Sequence, residues 1–369
     1  MINKYLPIIL DKCKTPVDKI ITTGFDGFVD TVVRIIKHSD NADAPVFFKT
    51  IEDFGQYIVA KQNNSFSLEI EEISTKLGGN MPILSNALGL LGFNTHCIGA
   101  LGYPQTHPAF KDMPPNCQLY SFTNPGISTA YEFNNGKMML AQNGLLNILD
   151  WDNIKAIIGI DILQKLYAES DVMCLLNWSE INTSTAIWRG ILEDILPFCA
   201  LKSHYKIAFF DLSDCSNRSD ALINEALNLL LLFKKHAKVV LSLNKNEARH
   251  LFQVLYETPP DNANFGYMGE KIHEKLPVDT LLLHSAKESI AFTKTTTFRF
   301  DNPFFTENPM LSTGAGDNFN AGYCAALLFG LKIEPALLFA NAVSALYVQR
   351  GKSPTLEDVN QFLGSLAAV

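Results

Sequence analysis

What this chain lacks excludes several classes of protein. Its cysteines, at Cys13, Cys97, Cys117, Cys174, Cys199, Cys215 and Cys324, are odd in number and contain no C-x-x-C pair. Neither a disulfide framework nor a zinc ribbon fits that spacing, and reduced, buried thiols are expected. No apolar run approaches the ~20 residues that span a bilayer. The N-terminal apolar run is broken by Asp11 and Lys12, so no signal-peptide core is expected and a cytoplasmic location is the default. Basic residues are outnumbered, giving a formal net charge of −8, so nucleic acid is not an expected partner. There is no H-E-x-x-H, and the eight histidines are isolated. Gly351-Lys352-Ser353 ends like a P-loop, but Leu346 stands where its first glycine belongs. Gly314 and Gly316 lack the third glycine of a dinucleotide fingerprint, since position 319 is Phe. Repeats, low-complexity tracts and long linkers are also missing.

What is present is a large apolar fraction. Of 369 residues, 47% are apolar and 18% charged, enough for a substantial core and incompatible with a disordered chain. Short, mostly continuous apolar runs read as strands buried on both faces: Lys19–Gly24, Thr95–Ala100, Asp171–Leu176, Lys206–Leu212, Lys238–Leu243 and Asp279–His284. Between them lie helical patterns at Pro82–Leu91, Thr183–Leu196, Asp220–His236 and Asn246–Tyr256, and two more follow at Glu334–Gln349 and Thr355–Leu366. This alternation predicts an α/β fold with a mainly parallel sheet. Residues 31–50 and 120–143 break it with alternating or β-branched stretches and a turn signal at Asn134-Asn135-Gly136. They read as excursions forming a small separate sheet on a single domain covering 1–369.

The chemistry concentrates at Thr313-Gly314-Ala315-Gly316-Asp317, ahead of a helical stripe through Phe319, Tyr323 and Ala326. Glycines there admit positive φ and close approach of a ligand, and free N–H groups at a helix start bind anions. Asp317 is then either a helix cap or a general base for a hydroxyl attacking phosphorus. Local chemistry alone leaves both open.

T-G-A-G-D-x-F-x-A-G at 313–322 resembles the C-terminal signature of the ribokinase, or PfkB, family of carbohydrate kinases. Gly78-Gly79-Asn80 followed by Leu88–Gly92 is similar to its N-terminal signature. Asn244-Lys245-Asn246-Glu247 resembles its N-x-x-E motif, and Gly24–Asp30 its first strand. The four occur in family order over nearly the whole chain. The resemblance implies a ribokinase-like fold with a β lid, and an ATP-dependent sugar kinase acting on a hydroxymethyl group. Asp317 would be the catalytic base and Gly314, Ala315 and Gly316 the anion hole. Asp30, Gly79 and Asn80 would hold the sugar. Asn244, Glu247, Thr313 and Asn341 would serve the nucleotide, with Glu247 positioning Mg2+ through water. Lids of this kind can pair between subunits, so a homodimer through the lid is one assembly the resemblance allows. A nucleoside kinase of the same fold, or a non-catalytic binding protein on it, are the alternatives.

Four ligand positions depart from the pattern. Leu311 replaces an Asp associated with a monovalent cation, Ala286 and Ser289 replace glycines of a nucleotide-binding turn, and Ile83 replaces a substrate-contacting Asn. The phosphoryl-transfer turn itself is intact.

Overall fold

The computed structural model describes residues 2–39, 44–148, 150–199, 206–259 and 264–367. Fourteen strands among these form two sheets. In chain order they are β1 (Ile20–Phe25), β2 (Phe28–His38), β3 (Val46–Phe47), β4 (Ile70–Gly78), β5 (Asn94–Gly99), β6 (Cys117–Ser121), β7 (Gly126–Phe133) and β8 (Gly136–Gln142). They continue as β9 (Val172–Leu175), β10 (Ile207–Asp211), β11 (Lys238–Asn244), β12 (Thr280–His284), β13 (Glu288–Thr293) and β14 (Thr297–Asp301).

The larger sheet has the order β14-β13-β12-β11-β10-β9-β1-β5-β6. Every pair from β12 across to β6 is parallel, and β13 and β14 close the other edge antiparallel. All six expected strands lie in it. Their apolar runs are continuous because both faces are covered. Phe209 of β10 enters one hydrophobic core, while Ala208 and Phe210 enter the other. The first core is shared with the helices Asn80–Leu90, Ala315–Leu328 and Ile333–Arg350, the second with Asp220–Leu232 and Lys245–Tyr256.

The smaller sheet runs β3-β2-β7-β8, with β4 also pairing β2. The Asn134-Asn135 turn joins β7 to β8, Phe133 facing Gly136 across the hairpin. This sheet has a small core of its own, in which Ile35, Phe48, Phe54 and Phe133 pack together. Two differences from expectation stand out. The segment at Tyr120 belongs to β6 of the larger sheet, since it pairs β5 in parallel register. Strand β4 and the helix Ile51–Ala60 are additions that the 31–50 and 120–143 excursions did not include.

Candidate active site

The carboxyl ends of parallel strands are where open α/β sheets place ligands. Here those ends carry the polar residues. Asp26 follows β1, Asn177 follows β9, Asp211 closes β10, Asn244 closes β11 and His284 closes β12.

The turn at 313–317 faces them. Gly314 caps the helix Ala315–Leu328 with φ +88°, a left-handed conformation that suits glycine. A Cβ at Gly314 would also lie 2.7 Å from the Tyr347 hydroxyl. That hydroxyl donates to the Thr313 carbonyl at 2.7 Å, and the Ser344 hydroxyl donates to the Ala315 carbonyl at 2.9 Å. Helix Ile333–Arg350 thus clamps the turn from behind. Ala315 donates back to Ser312, and Asn318 to Gly314. The Gly316 amide has no backbone acceptor among the described residues, which leaves a donor for an anion.

Asp317 sits in the first helical turn, almost fully buried, with Oδ1 lacking any hydrogen-bond partner. Burial pushes its carboxyl well above the ordinary range, and Asp211, Asp26 and Glu247 push it further by charge. A helix cap would have its carboxylate satisfied by backbone N–H groups. An orphaned oxygen in a carboxylate cluster fits a group awaiting a proton or a ligand.

Asp26 is fully buried and accepts from the Asn80 and Met81 amides at 2.8 and 2.9 Å and from Asn177 Nδ2 at 2.7 Å. It therefore fixes the start of the Gly79-Asn80 helix. Burial raises it to about 6 despite those bonds. Asp211 is also raised to about 6 by burial, while accepting from the Ser213 amide and Asn320 Nδ2. Asn320 is itself oriented by the Ser242 hydroxyl at 2.7 Å. Asn244 and Glu247 form a reciprocal capping box, with the Asn244 amide donating to Glu247 Oε2 at 2.8 Å and its Nδ2 to Oε1 at 2.6 Å. Glu247 is raised by burial and by the charge of Asp211.

Four buried carboxylates thus converge without an ion pair to any lysine or arginine among the described residues. Such a group is costly to ionise unless positive charge arrives. No three acidic, histidine or cysteine side chains among the described residues stand close enough to grip a metal directly. The donor set fits a hydrated divalent cation held at second remove.

Two cavities meet at the turn. The larger, about 400 Å³, is lined by Asn244, Lys245, His284, Ala286, Ala315, Gly316 and Asn341 with Phe304 and Phe305. The smaller, about 160 Å³, is lined by Asp30, Ile83, Asn86, Leu311, Thr313 and Tyr347 and by lid residues. Thr313, on one side of Gly314, lines the smaller cavity, and Ala315 and Gly316, on the other, line the larger; Asp317 follows them in the first helical turn. Thr313, assigned above to the nucleotide, lines the smaller cavity instead, because Gly314 turns the chain so that 313 and 315 face different cavities. Asp30 lines the smaller cavity, and burial raises it against the opposing charge of Lys76. Gly79 and Asn80 line neither. Gly79 lies against Asp26, and Asn80 Nδ2 donates to Ser213 at 2.9 Å. Asn341 is buried and donates to Ser289 Oγ at 2.8 Å, so this serine is bonded within the fold at its glycine position.

Sequence reading passed over Asp26, Asp211 and His284. An acidic residue at the carboxyl end of a buried strand, Asp26 just after β1 and Asp211 as the last residue of β10, is the signal for the first two. His284 is partly buried, stacks on Phe319 at 4.8 Å between ring centroids, and is held down to about 4 by desolvation. A Cβ on Gly316 would lie 3.2 Å from its Cε1.

Comparison with known proteins identifies the family. The prokaryotic ketohexokinase family model matches residues 12–366. The chain belongs to that family. The ketohexokinase of Haloferax volcanii is 27% identical over 341 residues, covering 92% of this chain and 89% of that one. Among solved structures, Arabidopsis thaliana ribokinase complexed with ribose and ATP superposes with a TM-score of 0.62 at 16% identity, over 94% of this chain and 99% of that one. The Methanocaldococcus jannaschii nucleoside kinase, an archaeal member of the ribokinase family, gives 0.56 at 14% identity, over 95% and 99%. This ketohexokinase-family chain is a carbohydrate kinase of ribokinase-like α/β fold. No described helix is long and apolar enough to cross a membrane.

Proposed function

We propose that this kinase transfers the γ-phosphoryl group of ATP to a sugar hydroxymethyl group, with Asp317 as base and the Gly314–Gly316 backbone as anion hole. The observation that carries the reading is the orphaned Asp317 Oδ1, on the residue directly after Gly316, which lines the larger cavity. The acceptor occupies the smaller cavity, where Asp30 accepts from its hydroxyls. The nucleotide occupies the larger one, along Asn244, Asn341 and the Gly316 amide. Asp317 takes the hydroxyl proton as the oxygen attacks phosphorus in line. The anion-hole donors stabilise charge developing on the transferring oxygens. Magnesium, when bound, would supply positive charge to offset that of the phosphates, and Asp211 and Glu247 would hold it through water. The lid strands β2, β4, β7 and β8 close the acceptor cavity and exclude water.

The Haloferax relative is named a ketohexokinase, which makes a ketohexose the first acceptor to try. A nucleoside acceptor would favour an aromatic-lined site. Phe25, Phe28 and Tyr131 do not line the smaller cavity, so the sugar reading is preferred. The outer lid face exposes Ile127 and Leu140, 48% and 55% exposed, which supports pairing of two lids in a homodimer. Sedimentation of the chain at micromolar concentration tests that pairing.

Coupled ADP release across a panel of sugars and nucleosides tests the chemistry. Asp317→Asn is expected to lose about 10²–10⁴ in kcat while keeping its circular dichroism spectrum. Wild-type turnover in that variant would overturn the assignment.

A further inference from the structure

Helix Ile333–Arg350 is buried along most of its length. Between Pro335 and Val348 its sequence is apolar except at Asn341, Ser344 and Tyr347. These three stand three residues apart, a slanting row along one side of the helix. Asn341 bonds Ser289, the Ser344 hydroxyl donates to the Ala315 carbonyl at 2.9 Å, and the Tyr347 hydroxyl donates to the Thr313 carbonyl at 2.7 Å.

The last two bonds act directly behind the anion hole. The Thr313 carbonyl shares a peptide unit with the Gly314 N–H, and the Ala315 carbonyl shares one with the Gly316 N–H. In a planar trans peptide the C=O and N–H point in opposite directions. Holding both carbonyls toward helix Ile333–Arg350 therefore sends both N–H groups out on the far side. Neither N–H has a backbone acceptor among the described residues, and Gly316 lines the larger cavity. A hydroxyl donating to a carbonyl also polarises that peptide and makes its N–H a stronger donor.

The Thr313 carbonyl depends on this support, since no backbone N–H reaches it among the described residues. Gly314, at φ +88°, has no Cβ to restrain the peptide, so the glycine that permits the turn also permits it to rotate. Tyr347 suits the task. Its ring lines the smaller cavity, and its hydroxyl lies 2.7 Å from where a Cβ on Gly314 would be. Burial and the charges of Asp317 and Asp30 raise the phenol, so it keeps the proton it donates.

We infer that Ser344 and Tyr347 are positioning residues for phosphoryl transfer, aiming and polarising the Gly314 and Gly316 amides toward the charge that develops on the transferring oxygens. They act through the backbone of the turn. Donors fixed in advance stabilise the transition state more than the resting nucleotide. The inference rests on the anion-hole reading above and deepens it.

Tyr347→Phe removes one oxygen and keeps the ring, and Ser344→Ala removes one hydroxyl. For each, kcat with an active ketohexose is compared with the affinity for MgADP alone and for MgADP with aluminium fluoride and the sugar, a mimic of the transferring group. Each variant is expected to lose about tenfold in kcat, less than the ~10²–10³ lost when an anion-hole donor itself is removed. The aluminium fluoride complex should weaken by a similar factor, while MgADP affinity and the acceptor KM stay within about twofold of wild type. MgADP affinity that falls in step with kcat would mean that the hydroxyls merely hold the fold of the turn, and would overturn the inference. So would a kcat within about twofold of wild type in both variants. Should Tyr347→Phe fail to fold, Ser344→Ala carries the same comparison alone. A wild type that releases no ADP with any sugar overturns the kinase reading and this inference with it; an active wild type with indifferent variants overturns the inference alone.

Discussion

Asp26 shows how one side chain joins fold and site. Its carboxylate accepts from two consecutive amides at the start of the helix Asn80–Leu90 and from Asn177. Asp26→Ala would orphan all three donors in a buried place. Loss of a helix cap alone amounts to about 1 kcal/mol, and each unsatisfied buried donor adds about as much again. The variant is expected to unfold at clearly lower urea concentration than wild type. Asp26→Asn keeps the shape and one acceptor oxygen, so it should recover part of the loss. Equal midpoints for wild type and Asp26→Ala would show that Asp26 holds nothing. This residue was hard to see in the sequence because Asn177 lies 151 positions away. Asp317 was visible because its signal is local: two glycines and an acid at a helix start. Local chemistry could not choose between cap and base, and the orphaned Oδ1 supports the base.

At the scale of elements, the buried strands were legible and the lid was only partly so. Strands covered on both faces have no choice but apolar residues, and β1, β5, β9, β10, β11 and β12 announce themselves that way. Strand β4 reads IEEISTKLG, with nearly every residue exposed, so no alternation marks it. Its pairing with β2 is written in backbone hydrogen bonds rather than side chains. The junction of the two sheets is tighter than its sequence suggests. A Cβ on Gly27, between β1 and β2, would sit 2.2 Å from the Ala100 carbonyl oxygen. Backbone cannot yield there as a flexible side chain could, so Gly27→Ala must shift β2 relative to β1. Overpacking of this kind costs about 1–3 kcal/mol. The same shift displaces Asp30, three residues on, so the acceptor KM should rise more than that of ATP. If KM for both substrates stays at the wild-type value while stability falls, the junction does not position the acceptor site.

Across the whole molecule, the cluster of acids makes stability depend on pH in a definite direction. A carboxylate whose folded pKa lies above its unfolded one stabilises the fold when protonated. That contribution is complete below about pH 4 and is lost as pH rises through the folded value. Asp26 and Asp211 complete their loss near pH 6, whereas Glu247 and Asp317, raised well above the ordinary range, continue beyond it. Histidines held neutral by burial, His284 foremost with His96 and His236, act the other way, but only below about pH 6.5, where the unfolded imidazole gains its proton. Cys13 and Cys215, pushed up to about 12 by burial, add a same-direction loss only where unfolded thiols ionise, above about pH 8. Between pH 6.5 and 8 the buried acids therefore dominate. The chain free of metal and nucleotide is expected to melt at progressively lower temperature across that interval. Asp317→Asn removes one contributor and should flatten the slope, melting above wild type at pH 8 even as its expected turnover falls. Saturating Mg2+ and ADP bring counter-charge to the cluster and should raise the melting temperature more at pH 8 than at pH 6.5. A melting temperature that is level or rising from pH 6.5 to 8 in the unliganded protein would mean that the four acids do not share one uncompensated site.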